Sequence, residues 1–267
     1  MKTIGLIVGN GNFPLLVAKQ AQDEGFRVAS CAIVGEADSS IEKISRRTIW
    51  VKLGELGKVI RFFKDEGVHE ALMAGKVRKT SLFSGRIMPD FEMIKALAGI
   101  RDWKDDSLLR AILNHLEKKG IQVVDSTTFL KPNLLKAGVL TKRKPTEKEW
   151  SDVEFGWQIA KELGRLDIGQ TVVVKEKAVL ALEAIEGTDE AIRRGGLLGK
   201  EGAVVVKVAK PEQDMRFDVP AVGLSTLQAM KEAKASVLAL EAEKTIILDK
   251  DQVIEFANQN KIAVVLK

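Results

Sequence analysis

Tyrosine is absent from this 267-residue chain, cysteine occurs once, histidine twice and tryptophan four times. One cysteine excludes an internal disulfide framework, and Cys31, set in an apolar strand-like run, reads as a packed residue of a protein kept in a reducing compartment, as in a cytoplasm. Two imidazoles, His69 and His115, are too few for a di-metal phosphoesterase built from His and Asp. Ten Phe, four Trp and no Tyr leave few platforms for stacking bases, and the +5 charge comes from 42 basic residues dispersed among 37 acidic ones. Nucleic acid is therefore not an expected partner. No window approaches ~18 uninterrupted apolar residues and no charged-then-apolar leader opens the chain, so neither a spanning helix nor a secretory signal is expected. The Gly-x-Ser-x-Gly elbow, the Walker loop, Cys/His zinc spacing and the Arg-Glu pair of a Nudix helix are missing too. A phosphate-cleaving enzyme with this composition would rely on carboxylates and an ion of the magnesium type.

What is present suffices for two domains: 45% of the residues are hydrophobic and 30% charged. Up to residue 132 apolar strand-like runs (3–8, 27–34, 70–74, 121–124) alternate with helical periods (14–24, 54–67, 105–119). That alternation predicts a Rossmann-like parallel sheet covered by helices. Leu56, Val59, Ile60 and Phe63 recur as one buried stripe. Residues 133–146, with Gly138, Pro145 and the basic run 142–144, read as a linker. From 147 to 267 a helix with Trp150, Val153 and Trp157 on one face leads into further strands and helices, predicting a C-terminal mixed α/β, or α+β, catalytic domain.

Two turns of the first domain are candidates for ligand contact. Gly9-Asn10-Gly11-Asn12-Phe13-Pro14 joins a strand to a helix, where a dinucleotide fold places its phosphate loop, but Pro14 breaks the glycine fingerprint. A plain tight turn, or a turn whose amides meet a phosphorylated or sugar ligand, fits as well. Glu36 and Asp38 are unexceptional as ribose ligands. Ala74-Gly75-Lys76-Val77 follows a strand, and Lys76 reads as an anion contact or a solvated strand end. Lys104-Asp105-Asp106 reads as a charge-complemented helix start.

The second domain concentrates charge. Glu183-Ala184-Ile185-Glu186-Gly187-Thr188-Asp189 precedes Arg193-Arg194, and Lys207 precedes Gln213-Asp214-Met215-Arg216-Phe217-Asp218-Val219-Pro220. Hard carboxylate oxygens suit a divalent ion, and Arg or Lys suits the remaining phosphate charge. Thr188 or Asp189 also serves as a plain helix cap. If the later stretch is extended, Asp214, Arg216 and Asp218 share one face.

Several of these segments together resemble the UDP-2,3-diacylglucosamine pyrophosphatases of the LpxI type, from lipid A biosynthesis. The likeness runs from Gly5-Leu6-Ile7-Val8-Gly9 with Pro14, through Ala74-Gly75-Lys76-Val77, Asp105-Asp106-Ser107-Leu108-Leu109 and Gly164-Arg165-Leu166-Asp167-Ile168-Gly169-Gln170. It continues to Glu186-Gly187-Thr188-Asp189, Gln213-Asp214-x-Arg216-x-Asp218-x-Pro220 and Val222-Gly223. The resemblance implies two domains with a substrate cleft between them, and magnesium- or manganese-dependent attack of water on the α-phosphorus, giving UMP and 2,3-diacylglucosamine 1-phosphate. On this match the aspartate tied to catalysis falls on Asp218, with Asp214 at a position that tolerates another acid; the chemistry of the residues adds Glu183, Glu186 or Asp189 beside Asp218 as ion ligands, and Arg193, Lys207 and Arg216, the last counted as catalytic, for charge on the non-bridging oxygens. Substrate contact falls on Gly11, Phe13, Gly75, Lys76, Gly169, Gln170, Glu186, Gly187, Thr188, Asp189, Arg193 and Lys207. A glycolipid nucleotide substrate brings transient contact with the inner face of a membrane. Leu134, Leu135, Val139 and Leu140 are candidates for a lipid path, with residues 142–144 toward headgroups. Self-association stays open, as do two other functions: a nucleotide-sugar oxidoreductase with a cofactor in the first domain, and a non-catalytic glycolipid or nucleotide carrier.

Overall fold

The computed structural model describes residues 1–77, 88–100 and 105–267, apart from the side chains of Asp105 and Asp106. The charged start expected at Lys104-Asp105-Asp106 lies outside what is described. The chain forms two compact units, one comprising Met1–Lys131 with Met215–Phe217, the other Pro132–Asp214 with Asp218–Lys267.

The first unit runs β1 (Thr3–Val8), α1 (Phe13–Asp23), β2 (Arg27–Ile33), α2 (Ile41–Ile44), β3 (Arg47–Val51), α3 (Leu56–Asp65), β4 (Glu70–Ala74), α4 (Phe91–Leu97), α5 (Asp105–Lys118) and β5 (Gln122–Val123). All strand pairs are parallel, in the order β3-β2-β1-β4-β5. The central strands are apolar almost throughout because helices cover the sheet. The stripe on α3 puts Phe63 against the sheet, where a side chain on Gly5 would come within 2.9 Å of its ring. Cys31 is buried in the same core, and burial raises its thiol pKa well above the usual range, so it is an inert packing residue. β3 was hidden from sequence periodicity because only Val51 of its five residues is buried.

The second unit holds β6 (Gly138–Val139), α6 (Glu147–Arg165), β7 (Thr171–Lys175), β8 (Ala178–Leu182), α7 (Thr188–Gly199), β9 (Val204–Lys207), β10 (Ala221–Val222), α8 (Leu224–Glu232), β11 (Val237–Leu240), β12 (Ile246–Ile247), α9 (Lys250–Gln259) and β13 (Ala263–Leu266). Its main sheet has the order β6-β13-β11-β9-β7-β8, with β9, β11 and β13 parallel and β6, β7 and β8 antiparallel to their neighbours. Alternate residues serve two cores. Val172, Val174, Val204, Val206, Ala239 and Val265 meet Val153 and Ala160 of α6, whereas Val173, Val205, Leu238 and Val264 meet Ile192, Leu227 and Val253 on the other helices. At Gly156, α6 approaches so closely that an added Cβ would lie 2.9 Å from Val206.

Residues 133–146, expected as a linker, include the edge strand β6, which pairs with β13. Leu135 and Leu140 of this stretch pack on the core of the second unit. Arg143 of the basic run is drawn inward by Glu149 at 2.5 Å and the Ser236 carbonyl at 3.2 Å. A polar, punctuated stretch looks like a linker in sequence, and two-residue pairing is too short to show as a period.

Between β7 and β8 the turn residues Glu176 and Lys177 have φ of 50° and 58°. Their amides donate to the Asp152 carboxylate of α6 at 2.9 and 2.7 Å. Replacing Asp152 by Ala orphans both donors, and we expect a loss of about 1–3 kcal/mol by denaturant unfolding.

Candidate functional site

In the first unit, β1 and β4 are the neighbours between which the strand order reverses, the crevice where open α/β sheets bind ligands. The turns that leave them are bonded to each other. The Gly9 amide donates to Ala74 O at 2.8 Å, and Asn10 and Lys76 exchange backbone bonds of 2.7 and 3.0 Å. Gly75 has φ of +90°, and a Cβ there would lie 2.7 Å from the Asn10 oxygen, so only glycine fits. Asn10 Nδ2 also donates to the Glu36 carbonyl at 3.1 Å, tying the turn to the end of β2. The amides of Gly9 and Asn10 are thus spent within the fold. Gly11, at φ +99°, shapes the entry to α1, while the Phe13 side chain is buried in the first helical turn as a packing residue rather than a ligand contact.

In the second unit the carboxyl end of β9 carries a buried polar relay. Lys207, 3% exposed, donates to Thr188 Oγ1 at 3.0 Å and to the Ala221 carbonyl at 3.0 Å. The Thr188 hydroxyl, so approached by a donor, passes its own proton toward Glu183 Oε1 at 2.8 Å. The second oxygen of Glu183 accepts the Gln170 amide at 3.3 Å. A side chain at Gly169 would come within 2.2 Å of the Glu183 carbonyl, so a bare backbone is required for this closeness. Gly187, at φ +87°, turns the chain into α7, and Asp189 in its first turn accepts the Thr226 hydroxyl at 2.8 Å. Gln170 Oε1 is buried with no hydrogen-bond partner, an acceptor left without a donor.

Lys210, Gln213 and Asp218 form a second cluster. Residues 211–220 are a series of turns rather than an extended stretch, so the expected single face of Asp214, Arg216 and Asp218 is not formed. The Asp218 amide bonds back to the Asp214 carbonyl at 3.0 Å, and Gln213 Nε2 donates to the Asp218 carbonyl at 2.8 Å. Arg216 instead belongs with the first unit, where it lies 3.3 Å from Glu117 and its carbonyl is 2.7 Å from the Ser126 hydroxyl. Asp218 Oδ2 is 3.7 Å from Lys210 Nζ, which also pairs with Asp167 at 2.7 Å.

Four other assignments meet a different local setting. Glu183, Asp189 and Asp218 do not form a shared cage, and among the described residues no three His, Cys, Asp or Glu side chains converge as a metal-ion site. The reason is local: Glu183 is engaged by Thr188 and Gln170, and Asp189 by Thr226. Arg193 pairs with Glu190 and Glu232, both at 2.7 Å, clasping α7 to α8 rather than pointing toward a phosphate, and Glu232 beside it raises its pKa. Glu186 is held by Arg194 at 2.5 Å; hydrogen bonds from its own backbone amide and from Arg194 lower its pKa. Lys207 is a structural tie within the cluster, where a lysine after a valine-rich strand reads equally as a ligand contact.

Sequence reading missed Lys161, Lys210 and Glu241. Glu241 follows β11 and accepts Lys161 at 2.5 Å, Lys244 at 2.9 Å and the Ala209 amide at 2.8 Å, so it anchors the start of the segment leading to Asp218. The one signal was its place directly after an apolar strand, next to another strand end that carries candidate residues.

This architecture defines a two-domain α/β protein with a parallel N-terminal sheet and a mixed C-terminal one. The model of the LpxI N-terminal domain matches residues 3–132, and that of the LpxI C-terminal domain matches residues 136–265. The chain belongs to the LpxI family. The UDP-2,3-diacylglucosamine pyrophosphatase LpxI of Caulobacter vibrioides is 32% identical over 269 aligned positions, covering 97% of this chain and 95% of that protein. N5-carboxyaminoimidazole synthetase from Staphylococcus aureus is 16% identical over 65% of this chain and 38% of its own, with a TM-score of 0.26, too low to carry an argument.

Two outcomes test the geometry. Lys207→Met should cost about 1–3 kcal/mol of stability in denaturant unfolding, since it leaves the Thr188 hydroxyl and Ala221 carbonyl short of a donor. For Glu241, burial alone would raise the pKa, but hydrogen bonds from Lys161, Lys244 and Ala209 outweigh it and lower it from 4.5. Its contribution is therefore complete above about pH 4.5, the ordinary value, and fades as pH falls through the lowered native pKa. Glu241→Gln should be less stable at neutral pH and lose less of its stability on acidification, read from unfolding midpoints across that range.

Proposed function

We propose that this protein hydrolyses the diphosphate of UDP-2,3-diacylglucosamine, releasing UMP and 2,3-diacylglucosamine 1-phosphate for lipid A biosynthesis at the inner face of the membrane. The observation that carries this reading is the end-to-end match to a protein named for that activity, over 97% of this chain. Water adds to the α-phosphorus, its oxygen staying on UMP, and the bridging oxygen leaves with the sugar 1-phosphate.

Asp218 is the residue we place at the reacting phosphorus. Its carbonyl and amide are pinned by Gln213 and Asp214, and Lys210 stands beside its carboxylate. Such a carboxylate can orient the attacking water and accept its proton. Lys210 supplies positive charge near the non-bridging oxygens, a role the sequence had offered to Arg193, Lys207 and Arg216. The Gln170 oxygen suits a donor on the substrate, such as a sugar hydroxyl. Gly169, Gly187 and Thr188 shape that place in the second unit, and Gly11, Gly75 and Lys76 are the proposed ligand contacts of the first.

Magnesium or manganese fits this donor set only in one manner. Small hard cations are commonly held by one or two carboxylates together with substrate phosphates, without a cage made by the protein alone. Asp218 and Asp214 are the residues we assign to that task. When bound, the ion would neutralise phosphate charge and lower the pKa of a coordinated water.

Purified protein given UDP-2,3-diacylglucosamine in oxygen-18 water should yield labelled UMP. Asp218→Asn should reduce turnover by roughly hundredfold or more without lowering the unfolding midpoint. Near-normal turnover in that variant would remove Asp218 from the reaction, and turnover unaffected by a chelator would remove the ion.

A further inference from the structure

The short helix α4 is apolar on the side away from the protein as well as on the side toward it. Met93 and Ala96 pack on the core of the first unit. On the opposite side Met88, just before the helix, is 85% exposed, Phe91 68% and Ile94 54%. Phe91 and Ile94, three residues apart on the helix, share its outer face, and Met88 stands exposed just before its start. A surface helix normally turns polar residues outward, and one apolar all round is ordinarily covered. Here no residue of the outer strip is buried.

The strip carries its own positive rim. Lys95 Nζ lies 4.1 Å from the centre of the Phe91 ring. Next to it, a pocket of about 220 Å³ between α4 and α5 is lined by Lys95, Ala98, Ile100, Asn114, His115 and Lys118. The acidic residue of α4, Glu92, lies 3.8 Å from Lys95 but is shared with two further basic groups, so it offsets this rim only in part. Glu92 is held by His115 at 2.6 Å and Lys119 at 2.8 Å, and the hydrogen bonds from Lys119, then His115, lower its pKa to about 2. The arrangement places apolar side chains that can enter an acyl layer beside ammonium groups at the depth of lipid phosphates.

We propose that the outer face of α4, through Met88, Phe91, Ile94 and Lys95, docks the protein on an anionic phospholipid surface. The inference deepens the reading above, because a glycolipid substrate resides in such a surface. A second copy of this chain fits the same face less well: pairing about a two-fold axis would set Lys95 and Lys118 of one molecule against the same lysines of the other. Lipid phosphates complement that charge. Among the described residues no helix is long and apolar enough to cross a membrane, so contact through this face would be peripheral.

The test is co-sedimentation of the full chain with phosphatidylcholine vesicles, with and without phosphatidylglycerol. Wild-type protein should bind the anionic vesicles, and more weakly as salt rises. The double variant Phe91→Ser, Ile94→Ser should lose tenfold or more of that binding, and Lys95→Gln about fivefold, the latter only on anionic vesicles. Because all three side chains are exposed, unfolding midpoints and turnover of detergent-dispersed substrate should be unchanged. Equal binding by wild type and the double variant, or no binding by wild type, overturns the proposal. So does a wild-type dimer in sizing experiments that the double variant breaks, since the face would then be a self-interface. Vesicle binding is read without turnover: an inactive protein that still binds through α4 refutes the hydrolase reading alone.

Discussion

Lys207 is charged, lies at the end of an all-valine strand and is almost completely shielded from water. Such a group is tolerable only where its donors are satisfied. The Thr188 hydroxyl and Ala221 carbonyl accept from it, and Thr188 can accept because its own proton goes to Glu183. One threonine therefore connects the end of β8, the first turn of α7 and the end of β9. The Ala221 contact extends this order to the chain just after Pro220, and hence to the exit of the turn bearing Asp218. Where Gln170, Asp189 and Asp218 stand relative to one another follows from this arrangement.

The relay also explains why the carboxylates of the second unit divide into two kinds. Glu183 and Asp189 are consumed in holding backbone and hydroxyl groups, and Glu241 holds Ala209 in the same manner. Asp218 belongs to a turn whose backbone is bonded on both sides while its carboxylate faces a lysine 3.7 Å away. The basic residues are engaged similarly, with Arg193 and Arg194 on glutamates and Lys210 on Asp167 and Asp218.

Much of the architecture was legible in the amino-acid order. Thr3–Val8 and Glu70–Ala74 are found with the bounds that hydrophobic pattern predicts. The elements that escaped, β3, β6, β10 and the helices α2 and α4, are short or lie at edges, where half-exposed residues show little period. Within the candidate site, the motifs around Thr188 and Asp218 stood out by their charge and glycine content. Lys210 and Glu241 did not, because each is a single charged residue at the end of an apolar strand and gains meaning only from its neighbours across the sheet.

Composition and periodicity by themselves determined that this chain builds a parallel α/β unit followed by a mixed one, because burying apolar faces at intervals of two or about 3.6 residues admits few arrangements. The tertiary structure alone decided what each charged side chain does. Arg216 was grouped with the first unit beside Glu117, Lys207 was tied to Thr188 and Ala221, and Glu183 was engaged by Thr188 and Gln170. Charges act through distance and burial, and spacing along the chain specifies neither once the backbone turns.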